Sequence, residues 1–195
     1  MAELHSWFPT LIHKNTFQNF EELNSYFVKK VEALKVENSS VCTSWLCGTY
    51  NTHENYNLLE DQNVFDFVKS CEQEVELFAK NFGVSIKPKC VDAWINLASP
   101  GDYQEYHIHP RRHFSLVYYV QVNDSTGNIR FKNTNNSDNM FPLPVDEYND
   151  ASYDNCFYSP EEGMVLVFKS NLPHMVEKNK SNTNRISVAM NFLCV

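Results

Sequence analysis

Apolar residues recur at three- and four-residue steps over 19–37, where Phe20, Leu23, Phe27, Val31 and Leu34 form one stripe, a spacing that predicts an amphipathic helix. Residues 61–83 repeat the signal with Phe65, Val68, Val75, Phe78 and Phe82. Asp61 is placed to cap the start of this second helix and Gly83 to stop it. The stretch 47–57 between them is polar and irregular.

From about Cys90 the helical period is lost and apolar runs become short and rich in β-branched and aromatic residues. The segments 90–97, 114–122, 128–133, 164–170, 174–178 and 185–193 read as strands. Turn-like stretches at 99–102, 123–128, 159–163 and 179–184 separate them. Six to eight short strands after two helices predict a mainly β jelly roll with the helices packed on one sheet. The Asn/Asp-rich segment 134–158 reads as one long loop, and loops of that length in compact folds often serve function. The length of 195 residues fits one domain, with 1–89 as helical support and 90–195 as the β core.

Composition narrows the partners. A formal charge of −8 argues against general nucleic-acid or anionic-membrane binding, which needs a basic surface. Arg111 and Arg112 are the one local basic feature near the candidate chemistry. The six cysteines, Cys42, Cys47, Cys71, Cys90, Cys156 and Cys194, show no metal spacing and no disulfide framework. No apolar run resembles a leader or a membrane span, so the expectation is a cytoplasmic protein with free thiols.

The chemistry concentrates in histidines. His107 and His109 stand two apart in sequence just before a predicted strand, and alternate residues of extended chain share a face. His174 opens another predicted strand, and strand ends of a two-sheet roll can converge. Three neutral imidazoles with positions left open suit a catalytic metal better than a closed structural one. His5, His13 and His53 have no such context. His113 shares parity with the pair but follows Pro110, which leaves it as a candidate near the substrate. Downstream, Arg185 and Ser187 share one face of a predicted strand with Ala189 and Asn191, while Ile186, Val188, Met190 and Phe192 take the other. A guanidinium there can hold a carboxylate bidentately, with a hydroxyl adding a third bond.

In order, the stations His107-Ile108-His109, Val117 to Val120, Gly127 to Phe131, Gly163 to His174 and Arg185 to Ser187 resemble the core of the 2-oxoglutarate and iron(II)-dependent oxygenase superfamily. Within it, the H-x-H-P segment followed by S-x-V-Y-Y-V is similar to a group found in marine phages and bacteria. The resemblance spans roughly 90–195 and implies a double-stranded β-helix. It also implies His107 and His174 as iron ligands and Arg185 with Ser187 as the grip on the far carboxylate of 2-oxoglutarate. Tyr118, with Tyr119 as the alternative, matches a cosubstrate-binding tyrosine, and Asn96 matches an asparagine placed on the cosubstrate in some members. His109 departs from the pattern, because most of the superfamily carries a carboxylate there. Asp102 or Glu105 stays open as an acidic third ligand.

The function implied is oxidation of a substrate C–H bond, usually hydroxylation, driven by O2 and the decarboxylation of 2-oxoglutarate to succinate. Arg111, Arg112, His113 and Tyr119 are the candidates for substrate contact, and a peptide and a small molecule are both open as substrate. Two alternatives stand beside this reading. One is a cupin-like three-histidine metalloenzyme that does not use 2-oxoglutarate, and the other is a non-catalytic binding module on the same fold.

Overall fold

The computed structural model describes residues 2–38, 46–134 and 144–195. Among them the chain forms ten strands and two α-helices: β1 (Ile12–Thr16), α1 (Glu21–Glu37), β2 (Tyr50–Asn51), α2 (Phe65–Lys80), β3 (Pro88–Ala98), β4 (Gln104–His107), β5 (Phe114–Gln121), β6 (Ile129–Lys132), β7 (Asn155–Tyr158), β8 (Met164–Lys169), β9 (His174–Val176) and β10 (Arg185–Cys194). They build a six-stranded sheet in the order β1-β8-β5-β10-β3-β2 and a four-stranded sheet in the order β4-β9-β6-β7. Every recorded pairing is antiparallel. This is a double-stranded β-helix with both helices against the larger sheet.

Strand alternation sorts the larger sheet's residues into two compartments. On β10, Ile186, Val188, Met190 and Phe192 enter one core with Ile95, Leu97, Leu116, Tyr118, Val165 and Val167, and the helices supply Phe27, Val31, Phe67, Val75 and Phe78. The opposite face meets the smaller sheet, where Tyr119, Leu166 and Phe168 pack with Ile129 and Phe131. Phe67 is the hub of the helix-side core, edge-on to Phe27 at 5.3 Å and to Tyr118 at 4.8 Å between ring centroids. Such pairs add ~0.5–1.5 kcal/mol beyond their buried area.

The second helix starts later than the sequence predicts. Asp61 does act as a cap, but of a short 3-10 turn over Gln62–Val64, where its side chain accepts the Asn63 N–H. The α-helix itself begins at Phe65 without a side-chain cap. Asp61 is occupied further by the hydroxyls of Tyr26 and Tyr56, which both donate to Oδ2. Burial raises its pKa, yet these two hydroxyls and Asn63 outweigh that and bring it down to about 2.

Four strands lie outside the sequence expectation. β1 forms an edge by pairing with β8 over Ile12↔Phe168 to Thr16↔Met164. β2 lies inside the stretch read as irregular. β4 carries His107 as its last residue rather than leaving it ahead of a strand. β7 lies within the segment read as a long loop and pairs with β6. Residues 135–143 of that segment, and Cys42, fall outside the described residues.

Candidate metal centre

His107 and His174 face each other as register partners of β4 and β9. The Nδ1 of His107 lies 2.8 Å from the Glu105 carbonyl, and the Nδ1 of His174 lies 2.9 Å from the Leu172 carbonyl. A carbonyl only accepts, so both Nδ1 atoms carry the proton and both Nε2 atoms are left with a lone pair, the tautomer that a metal requires. His109 sits in the turn between β4 and β5, where its N–H donates to the Ser170 carbonyl at 2.8 Å. Its ring centroid is 5.1 Å from that of His107 and 5.2 Å from that of His174.

The three imidazoles offer donor atoms within 4.8 Å of one another. That spacing is the size of donor set that a first-row ion can bridge, since its bonds to imidazole nitrogen are ~2.1 Å long. Neither Asp102 nor Glu105 belongs to this cluster. The Asp102 carboxylate accepts the Ser99 N–H at 2.8 Å, and the Glu105 carboxylate accepts the Leu46 N–H at 3.0 Å. Burial lowers the pKa of all three histidines: His174 falls well below its ordinary value, and His109 drops to about 4, helped by neighbouring His107. Desolvation disfavours the imidazolium, so the rings are neutral at pH 7 and ready to ligate.

The histidines line a cavity of about 380 Å³ between the sheets. Trp94, Asn96, Ser115, Val117, Ser187 and Asn191 contribute to its wall from the larger sheet. This wall follows directly from register, because Ser187 pairs with Asn96 on one side and Tyr119 on the other, while Asn191 pairs with Asp92 and Ser115. Beside Ser187 on β10, Arg185 is 95% buried. Its Nη1 donates to the Thr126 carbonyl at 2.6 Å and reaches the Glu177 carbonyl at 3.4 Å. None of the ion pairs among the described residues includes Arg185. The Thr126 hydroxyl is also buried without a partner. A desolvated cation and an orphaned hydroxyl, brought together where Arg185 bonds the Thr126 carbonyl, are what an anionic carboxylate guest would satisfy. Gly127 holds this corner together: its φ is +90°, and a Cβ there would collide with the Glu177 carbonyl.

The 2OG-Fe(II) oxygenase family model matches residues 92–191, just over half of the chain. The chain belongs to the 2OG-Fe(II) oxygenase family.

Members of this family are enzymes that use iron(II) and 2-oxoglutarate, and the three-histidine cluster supplies a donor set for the metal. A prolyl-4-hydroxylase from Pseudomonas putida shares the fold with a TM-score of 0.67 at 13% identity, over 94% of this chain and 92% of that one. The viral collagen prolyl hydroxylase of Paramecium Bursaria Chlorella virus-1, in its 2-oxoglutarate complex, gives 0.59 at 14% identity over 94% and 96%. The carbocyclase SnoK from nogalamycin biosynthesis gives 0.68 at 10% identity over 94% and 80%. Among curated proteins none matches the chain in sequence.

Several residues singled out from sequence for this oxygenase site lie elsewhere. Tyr118 points to the helices, where its hydroxyl donates to Asn24 Oδ1 at 2.6 Å, so it does not face the cosubstrate side. Tyr119, on the opposite face of β5, lies between the sheets; burial raises its pKa while Arg185 holds the rise back. It is packed in the inter-sheet core with Leu166 and Phe168 and is not among the residues that line the cavity. His113 accepts the Cys194 N–H on Nδ1 at 2.9 Å and anchors the end of β10. Arg112 is held by Asp92, with Nε 2.5 Å from Oδ2. Arg111 is exposed in a left-handed conformation at φ 62°, and neither arginine lines the cavity.

Sequence reasoning missed a hydrogen-bonded chain behind His109. Ser115 Oγ donates to Asn191 Oδ1 at 2.7 Å and lies 2.8 Å from Ser170 Oγ, and the Ser170 carbonyl in turn holds the His109 backbone. The parity of Asn191 with Arg185 and Ser187 on β10 was the signal that placed it on the site face.

Proposed function

We propose that the chain is a hydroxylase in which His107, His109 and His174 hold the iron and Arg185 anchors the far carboxylate of 2-oxoglutarate. Ser187 and Asn96 contact the cosubstrate, and Tyr119 takes the part first given to Tyr118. The observation that carries this reading is the buried Arg185 guanidinium, which forms no ion pair among the described residues and stands on the same strand face as the cavity-lining Ser187. When bound, iron(II) and 2-oxoglutarate supply the oxidising chemistry, consuming O2 and releasing succinate and carbon dioxide.

The residues of the chain do the rest. The Glu105 and Leu172 carbonyls fix the tautomers of His107 and His174, so both ligands are preorganised. Arg185 and Thr126 orient the cosubstrate by charge and hydrogen bonding. Leu116, Val117, Ile129 and Phe168 give the cavity apolar walls that limit water. Trp94, with its indole N–H donating to Asn96 at 3.1 Å and its ring 5.8 Å from that of His109, stands where substrate would pass.

The test is anaerobic reconstitution with iron(II), followed by measurement of 2-oxoglutarate binding and aerobic succinate formation. Binding with slow uncoupled succinate release is expected. Metal uptake with no affinity for 2-oxoglutarate would favour the cupin-like alternative. A reducing intracellular compartment completes the reading, supported by the free thiols of Cys47, Cys71, Cys90, Cys156 and Cys194.

A further inference from the structure

The larger sheet ends in a strand too short to cover its neighbour. β2 pairs with β3 only at Tyr50↔Leu97 and Asn51↔Asn96. Thr52 extends the cover by one residue: its N–H donates to the Ile95 carbonyl at 3.1 Å, and its Oγ1 accepts the Ile95 N–H at 3.0 Å. There the chain turns away, with the N–H groups of Asn55 and Tyr56 folding back onto the Thr52 carbonyl. Alternate residues of a strand aim their backbone groups at the same neighbour, so the next outward-facing residue after Ile95 is Ala93. Among the described residues nothing meets its N–H or C=O on that side. Further along, the Cys90 N–H is taken by the Glu72 carboxylate at 3.1 Å, so the gap is confined to a short length of edge. Unpaired strand backbone is a template for another extended chain.

The gap opens into a groove of about 420 Å³, with Val91 and Ala93 on one side and Asn55, Tyr56, Asn57 and Leu59 on the other. This groove shares His53 and Glu54 with the histidine cavity. Trp94 joins the two, its ring 5.2 Å from that of His53 and 5.8 Å from that of His109. Among the described residues no lysine or arginine lines either hollow. Asp92 lines the groove but is neutralised by Arg112, whereas Glu54 is exposed and joins no ion pair among the described residues.

We propose that the Ala93 edge of β3 docks an extended polypeptide substrate with basic side chains, which adds to the sheet beside β3 and passes one side chain by His53 and Trp94 to the histidines. The proposal rests on the hydroxylase reading and specifies its substrate class. Backbone pairing at Ala93 supplies affinity that does not depend on sequence, and Glu54 supplies the preference for positive charge. A free small metabolite would have no use for the edge.

The test uses the full-length protein and pools of capped octapeptides biased to Lys/Arg, to Asp/Glu or to apolar residues. Hydrogen exchange of the Ala93 amide is read by NMR. The basic pool should slow that exchange at least tenfold, and the same pool with N-methylated backbones should not. Glu54→Lys should move the preference from basic to acidic peptides by at least fivefold. Ala93→Pro removes the outward N–H, a change that edge strands tolerate, and in a variant that keeps the parent's fold by circular dichroism should abolish peptide binding. If no pool slows the Ala93 amide, or if the N-methylated pool binds equally well, the docking proposal is overturned. Succinate formation is measured separately: peptide binding at Ala93 without succinate supports the edge and counts against the hydroxylase reading.

Discussion

His107 and His174 are cross-strand partners in the smaller sheet, and each has its Nδ1 proton held by a carbonyl two residues earlier in its own strand segment. The shared arrangement leaves the Nε2 lone pair of each ring unprotonated, on two rings whose centroids are 4.2 Å apart. His109 differs, since it is placed by a turn and by the Ser170 carbonyl. Alanine at any of the three positions should therefore abolish stoichiometric iron, whereas His113→Ala should keep it. His109→Asp is the sharper probe, because it creates the two-histidine, one-carboxylate set and should bind iron with some turnover of 2-oxoglutarate. Metal analysis of the five variants purified side by side decides this, and undiminished iron in His109→Ala would remove that residue from the site.

Arg185→Ala should weaken 2-oxoglutarate binding at least tenfold, in line with ~1.5–3 kcal/mol for a lost hydrogen bond to a charged group. Calorimetry on the manganese-loaded protein reads it. Unchanged affinity would make Arg185 a purely structural tether of the Thr126 and Glu177 carbonyls.

The two neighbouring tyrosines should separate by phenotype. Tyr118→Phe leaves the buried Asn24 side chain without its hydroxyl partner, and the Asn24 amide nitrogen already lacks one. A stability loss of ~1–3 kcal/mol with unchanged cosubstrate affinity is expected. Tyr119→Phe should do the reverse, weakening 2-oxoglutarate with little effect on denaturation. Paired urea titrations and calorimetry compare them; an affinity loss in Tyr118→Phe alone would contradict the strand facing.

Acid should destabilise the metal-free protein through its histidines. Unfolded, His109 binds a proton near its ordinary value of 6.5; folded, burial holds it down to about 4. Between those values the unfolded chain carries more protons, so stability is full above about 6.5 and is lost as pH falls toward 4. His107 and His174 are shifted in the same direction. Thermal melts of the metal-free protein should fall across this window, and His109→Gln should flatten the slope. A slope identical in the variant would place the proton uptake elsewhere.

Much of the architecture was legible because β10 alternates: Ile186, Val188, Met190 and Phe192 against Arg185, Ser187 and Asn191 announce two faces in the sequence alone. Other parts carried no such signal. β4 reads QEYH, with no apolar alternation, and exists because it pairs with β9. β7 is an exposed edge whose Phe157 lies under the Arg130 guanidinium, at 5.2 Å, rather than in a core. Tyr118 and Tyr119 are adjacent and equally aromatic, and a bulge between Ile186 and Ser187 shifts the pairing of β10 with β5, so the choice between them required the register. Arg111, Arg112 and His113 lie near the site in sequence, but the chain after Pro110 leaves Arg111 exposed, pairs Arg112 with Asp92 and turns His113 to the end of β10.

The alternation of β10 ties two fates together. A single inserted or deleted residue in that strand would send Ser187 and Asn191 toward the helices and Ile186 and Val188 toward the histidines, emptying the core and closing the cavity in one step. A change of length is therefore best absorbed in the connections between strands, where it alters what reaches the histidines and leaves the frame that holds them intact.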